Sequence, residues 1–255
     1  MIDVLIPIYN SKEDYLRLSI NSIKKQTIKN NVICILNGMD NNKNKLYRDL
    51  LQQLEVDLIV ECPFQGVAQA LNYGVQFTKS KYIARQDDDD ISHPERLYFQ
   101  YSFMRNNNID VLGTNIHIIN SSGRIIGHRK YPQRDINCKQ TLVYQTCFAH
   151  PSVMMKREFI INNPYPLTGS EDYALWLKAY NHANYANLNN YLYLWRKHSN
   201  QASSNSIPYL YLNKSIELIK KENSIFLKFI LLLSLFLRVA ICFIKRRNID
   251  LKTDL

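Results

Sequence analysis

The sequence has little of what punctuates irregular chains. Seven glycines and eight prolines among 255 residues exclude a collagen-like or linker-dominated protein, because those classes are built on these two residues. The five cysteines, Cys34, Cys62, Cys138, Cys147 and Cys242, show no CxxC spacing. An odd number without a metal-type pattern speaks against a disulfide framework and fits reduced thiols in a cytosolic protein. The first residues lack a basic stretch followed by an apolar run and a small-residue cleavage site, so no secretory signal is expected. Internal repeats and low-complexity segments are also missing.

What is present suits a folded core. Hydrophobic residues make up 46% and charged residues 21%, outside the range of disordered chains. The length suits one sizeable domain, or one domain with a small appendage. The formal net charge is +10, which is compatible with nucleic acid, an anionic membrane or phosphorylated ligands. Residues 205 to 255 hold nine Lys or Arg against four Asp or Glu, a net of +5. Half the excess thus sits beside the most apolar stretch, which points to a membrane surface and away from nucleic acid.

The first hundred residues alternate between strand and helix patterns. Ile2 to Ile8, Val32 to Leu36, Val56 to Val60 and Tyr82 to Ala84 read as strands. Between them lie a helix carrying Leu16, Ile20 and Ile23, with Ser11 and Asp14 as a capping box, a polar helix, and a helix from Gly66 to Thr78. This order predicts βαβ units, a mainly parallel sheet and an α/β fold. Ligands in such a sheet bind outside the carboxyl ends of the strands, and these strands end at Tyr9-Asn10, Asn37-Gly38 and Arg85. Further on, Pro94 opens a helix. Ile109 to Ile119 and Arg124 to Lys130 flank Asn120-Ser121-Ser122-Gly123 as a hairpin. Two more helices are expected, Asp135 to Tyr144 and Tyr173 to Ala183.

Asp87, Asp88, Asp89 and Asp90 are the strongest local feature. Adjacent carboxylates after a buried strand repel one another, and a cation relieves the cost. Hard oxygen ligands at a strand end suit Mg²⁺ or Mn²⁺; a bare acidic run is equally a solvated loop. Glu171-Asp172 at a helix start is, taken alone, a pair of acids favoured by the helix dipole.

The string YIARQDDDDISHPERL resembles the nucleotide-sugar and metal motif of family 2 glycosyltransferases. IPIYN, FQGVAQALNYG, HPSVMMKRE, SEDYALWLK and LWRKHSNQAS resemble other segments of that family, in its order, over residues 1 to about 203. The resemblance implies a GT-A (Rossmann-like) nucleotide-diphospho-sugar transferase fold over 1–204, followed by a C-terminal helical segment, 205–255. It implies a metal-dependent, inverting transfer of a hexose or N-acetylhexosamine. The donor would be a nucleotide sugar, UDP favoured, and the acceptor a glycan or lipid-linked glycan in bacterial capsule or lipopolysaccharide synthesis. Asp89, Asp87 and His198 would hold Mn²⁺ or Mg²⁺. Asp172 would be the general base, with Glu171 supporting it. Pro7, Tyr9, Asn10, Asn37, Asp40, Asn72, Arg85, Asp87, Asp88 and Arg196 would bind the nucleotide sugar, with Arg196 facing the diphosphate. Asn37-Gly38-Met39-Asp40 departs from the family's usual Asp-Gly-Ser. An Asn amide still matches uracil, and Asp40 is an alternative carboxylate. His150 has no assigned role and reads equally as a structural histidine.

Ile225 to Ile244 is apolar apart from Lys228, Ser234 and Arg238, and basic residues flank it on both sides. That pattern fits a helix lying in the interface of an anionic leaflet, placing the protein on the cytoplasmic face of the plasma (inner) membrane. A packed helix and a true span are the alternatives. Two rival functions are a sugar nucleotidyltransferase, which needs a glycine-rich phosphate loop that IPIYNSKEDY lacks, and a non-catalytic lipid- or polyanion-binding protein.

Overall fold

Seven consecutive buried residues, Ile2–Ile8, form β1, an apolar run of the kind a strand covered on both faces requires. The structure is a computed structural model and describes residues 1–143, 145–167 and 170–198, with Lys228, Phe229, Leu232, Leu233 and Phe236. β1 pairs in parallel with β2 (Asn30–Asn37) and β4 (Tyr82–Arg85), and β3 (Leu58–Cys62) adds in parallel to β2. The crossovers are α1 (Glu13–Lys24), α2 (Asn41–Gln53) and α3 (Val67–Val75). The chain continues through β5 (Ile91–Ser92), α4 (Arg96–Asn106), β6 (Val111–Ile119), β7 (Ile125–Arg129) and α5 (Asp135–Leu142). A 3-10 turn at His150–Ser152 leads to β8 (Met154–Lys156), α6 (Arg157–Asn162), α7 (Glu171–Ala179) and β9 (Tyr185–Arg196).

Among the described residues these strands form one sheet in the order β3-β2-β1-β4-β8-β6-β9-β5, with β7 hydrogen-bonded to β6. β8 runs antiparallel to β4 and β6, whereas β9 runs parallel to β6. The sheet separates two apolar layers, following the period-two alternation of strand side chains. Leu5, Ile33, Ile35 and Val60 pack with Ala70, Leu71, Phe159 and Trp176 on one face. Val4, Ile6 and Ile8 pack with Leu16, Ile20, Leu51 and Leu97 on the other.

Several expectations shift. The Ser11–Asp14 capping box does not form: α1 has Lys12 at its N-cap with no side-chain cap bond, because the Ser11 hydroxyl instead donates to the Asp88 carbonyl at 3.2 Å. β3 starts two residues later than expected, since Glu55 turns at φ 49° and the Asp57 carboxylate accepts from Val32 N at 2.7 Å. The helix expected from Pro94 begins at Arg96, because the Pro94 carbonyl accepts from Thr27 N (3.0 Å). α3 ends at Val75, where the Thr78 hydroxyl caps the Val75 carbonyl (2.7 Å). α7 begins at Glu171, where the acidic pair reads as a helix start, and ends at Ala179, short of the expected Ala183. The hairpin forms around Asn120, whose Oδ1 accepts from Ser122 N and Arg124 N. β8 and the twelve-residue β9, which ends at Arg196, have no counterpart among the strands expected from the sequence.

The 204/205 boundary and most of the expected helix from Ile225 to Ile244 lie outside the described residues. Phe229, Leu232, Leu233 and Phe236 are helical and exposed. Among the described residues no helix is long and apolar enough to cross a membrane.

Candidate active site

The carboxyl end of β4 delivers Arg85 and the aspartate run to the edge where β1 and β2 also end. A buried polar network fixes the run's path. Ser19 Oγ donates to the Asp87 carbonyl (2.6 Å). Gln86 Nε2 donates to Ser19 Oγ and to the Asp90 carbonyl, both at 3.0 Å. Ser92 Oγ donates to Gln86 Oε1 (2.7 Å), and Asp87 N donates to the Tyr193 hydroxyl (3.1 Å). The end of β9 closes the loop: Arg196 N donates to Asp90 Oδ1 (2.6 Å) and its Nε to the Asp89 carbonyl (2.7 Å). Arg96, fully buried, donates to the carbonyls of Arg85 and Pro151 and lies over the Tyr193 ring. The sequence singles out Asp90 only as a member of the aspartate run and gives no role to Ser19, Gln86, Arg96 or Tyr193. Most of their bonds join residues far apart in the chain and leave no local pattern.

Two acidic clusters result. Carboxylate oxygens of Asp87, Asp89 and Asp90 lie within 4.8 Å of one another, and His198 Nε2 is 2.7 Å from Asp89 Oδ2. Burial and the Asp89 charge push the Asp87 carboxyl up to about 6, although Arg85 opposes this. Burial and the neighbouring aspartates also raise Asp88 and Asp90. Converging hard-oxygen donors that destabilise one another's charge, with an imidazole beside them, fit a divalent cation. The second cluster joins His150, Glu171 and Asp172, again within 4.8 Å. Burial raises both acids, with the Asp172 charge adding to the rise of Glu171. Burial, then Arg85, holds His150 well below the usual imidazole range; its Nε2 meets the Tyr165 hydroxyl at 3.1 Å.

Arg85 acts on both clusters, by an ion pair with Asp87 in the first and by its charge alone on the second. It is 5% exposed, and its Nη2 is 2.7 Å from Asp87 Oδ1. Burial works against its charge, but Asp87 foremost, with Tyr165, Tyr193 and Glu171, outweighs that and raises its pKa. Its Nε and Nη1 find no hydrogen-bond partner among the described residues. A buried guanidinium with spare donors between two acidic clusters is suited to a polyhydroxylated ligand.

The remaining expected residues divide. Pro7 is buried within β1. Tyr9 is 44% exposed and its N donates to Asp88 Oδ2 (3.2 Å). Asn10 sits at φ 54° and accepts from Lys43 Nζ (2.9 Å). Asp40 caps α2 by accepting from Lys43 N (3.0 Å). Asn37 is engaged by the protein's own backbone, its Oδ1 accepting from Gly66 N (2.8 Å). Asn72 likewise exchanges two bonds with the Tyr165 backbone, both 2.9 Å. Arg196 is 1% exposed; besides Asp89 it donates to the carbonyls of Asn120 and Ser121 and stacks on Tyr15, so its guanidinium clamps the loop. Phe64, 54% exposed, was not anticipated. It stands beside Gln65, which hydrogen-bonds the Tyr9 hydroxyl.

Comparisons with known proteins bear on family and fold. The family model described as glycosyl transferase family 2 matches residues 3–163. The chain is 34% identical over 218 residues to the O-antigen biosynthesis glycosyltransferase WbnJ of Escherichia coli, covering 82% of this chain and 84% of that protein. S. aureus TarS 1–349, solved with UDP-GlcNAc, superposes with a TM-score of 0.68 at 17% identity, over 93% of this chain and 72% of that one. The mannosyltransferase PcManGT of Pyrobaculum calidifontis, solved with GDP-Man and Mn²⁺, gives 0.60 at 13%, over 94% and 74%. The two structural likenesses bear on fold and the first two matches on kinship: the chain belongs to glycosyl transferase family 2 and has the GT-A fold.

Proposed function

We propose that the chain moves a hexose or N-acetylhexosamine from a nucleoside diphosphate, UDP favoured, to a hydroxyl of a glycan or lipid-linked glycan, with inversion. The setting is bacterial surface-polysaccharide assembly, O-antigen or capsule. WbnJ's role in O-antigen biosynthesis and the UDP-GlcNAc held by TarS support the product class and the donor. The observation that carries the reading is the buried Arg85, ion-paired with Asp87 of the aspartate cluster while its charge acts on Glu171 and Asp172.

Tyr9 and Phe64, exposed at the carboxyl edge, offer faces on which a nucleobase can stack. The spare N–H groups of Arg85 donate to hydroxyls of the donor sugar. Asp172 accepts the proton of the acceptor hydroxyl, and a pKa raised by burial brings it nearer the working pH of a general base. One base and direct attack opposite the leaving group invert the anomeric centre, by the logic of inverting carboxylate enzymes. Glu171 orients the acceptor. Asp89, Asp87 and His198 would hold a divalent cation, Mn²⁺ or Mg²⁺, which when bound supplies positive charge against the departing diphosphate; PcManGT, solved with Mn²⁺, supports the metal. The C-terminal segment holds the protein on the inner face of the cytoplasmic membrane, a reading supported by its exposed phenylalanines and leucines and by its net charge.

Calorimetry of UDP binding, with and without Mn²⁺, on the native chain and Asp89→Asn tests this. Metal-dependent binding lost in the variant is expected. Metal-dependent binding of GDP or dTDP in place of UDP changes the base assignment alone. Binding of none of them overturns the donor site.

A further inference from the structure

Among the described residues β7 is an edge strand, hydrogen-bonded to β6 alone. Ile125 and Ile126 on it are 59% and 55% exposed and lie where the register with β6 shifts, Ile118 pairing with Gly127 and Ile119 with Ile125, an irregularity of the kind a β-bulge makes at a sheet edge. Arg124, Arg129 and Lys130 are exposed beside them, and residues 120–130 contain no Asp or Glu. Lys197, also exposed, donates its backbone N to the Ile119 carbonyl at 2.8 Å, which adds a fourth cation at the base of the hairpin. The hairpin is tied to the site. Arg196 spans its turn carbonyls, Asn120 and Ser121, and the Asp89 carbonyl, while the Tyr15 hydroxyl donates to the Ser121 carbonyl at 3.2 Å.

Two large apolar side chains on an open edge are a liability unless something covers them. A second copy of the chain, adding strand to strand, would set these cations against their own counterparts, the pattern that blocks edge pairing. An anionic lipid surface suits both halves of the patch: isoleucines enter the boundary of headgroup and acyl chain, and cations meet phosphates. We propose that the β7 hairpin, through Ile125, Ile126, Arg124, Arg129, Lys130 and Lys197, docks on an anionic phospholipid surface and holds the aspartate loop beside the bilayer. This contact uses none of residues 205–255 and does not depend on the nature of the donor.

The test is co-sedimentation of the full chain with vesicles of phosphatidylcholine mixed with phosphatidylglycerol, against phosphatidylcholine alone. Each cation near an anionic surface contributes about a fivefold change in partition. Arg124→Glu/Arg129→Glu/Lys130→Glu is therefore expected to lower binding to the mixed vesicles about 100-fold or more, and Ile125→Ser/Ile126→Ser about tenfold. UDP affinity, measured alongside, stays unchanged in both variants, so a failed donor site is told apart from a failed docking surface. In a second arm, an environment-sensitive label on Ile126→Cys in a Cys242→Ser background shifts to the blue on adding mixed vesicles. Unchanged partition in both variants, or no shift of the label, overturns the proposal. So does loss of a dimer in Ile125→Ser/Ile126→Ser with vesicle binding intact, which would make the edge a self-pairing interface.

Discussion

Asp172 and Gln86 are both polar residues at the site, yet different physics acts on them. Asp172 is an acid whose pKa burial raises, at the start of α7. Asp172→Asn keeps the shape and removes the base. Sugar transfer is expected to fall about 10³-fold with UDP affinity unchanged, measured by a coupled UDP-release assay and by calorimetry. A fall in affinity equal to the fall in rate would count against a role as base. The native rate should also decline on acidification, because a raised pKa protonates the base earlier. Gln86, wholly buried, has the opposite character: it touches no ligand-facing group and holds Ser19, Ser92 and the Asp90 carbonyl. Gln86→Leu strands these partners, and the expected cost is about 2–4 kcal/mol, read by chemical denaturation, together with weaker UDP binding as the loop slackens. Full stability in this variant would show that water replaces the amide.

At the scale of elements, the connection from β2 to α2 is the tightest joint beside the site. Gly38 sits at φ +59°, and a Cβ there would lie 2.6 Å from the backbone of Phe64 and Gln65. Gly38→Ala is expected to destabilise the fold by about 2 kcal/mol or more and to displace the Phe64 loop. Thermal denaturation with UDP titration checks both effects; a native Tm would show that the loop moves without cost. This joint was legible in the sequence as Asn-Gly, and β1 to β4 were legible as apolar runs, since buried parallel strands carry their pattern in one stretch of chain. β8 was not, because three residues are too few for a period. β9 was not, because Asn189 and Asn190 interrupt its apolar alternation and its register with β6 shifts twice. The acids of the site stood out by charge and motif. Arg96, Tyr193 and Ser19 did not, because a buried polar residue looks like a surface one until its partner in another element is known.

For the whole molecule, the aspartate cluster is a standing electrostatic cost. Asp87 titrates at about 6 in the fold against the ordinary 3.8. Between those values the folded chain binds more protons than the unfolded one, so this group's contribution to stability falls as pH rises from about 4 to about 6 and stays low above. A bound divalent cation removes the repulsion only where the carboxylates are charged. Mn²⁺ should therefore raise Tm more at about pH 7.5 than at about pH 5, and equal or absent gains in differential scanning fluorimetry would rule Asp87 out as a ligand. The same cluster is held shut from far along the chain: Asp90 is fastened by Arg196, 106 residues later, and Asp89 meets His198. A nascent chain that has emerged through Asp90 already has the parallel strands β1 to β4 and all four aspartates, but not the strand that closes them. Competence to hold a donor thus waits for β9 and the residues just after it, and a translating ribosome carries the parallel half of the sheet before it carries a closed site.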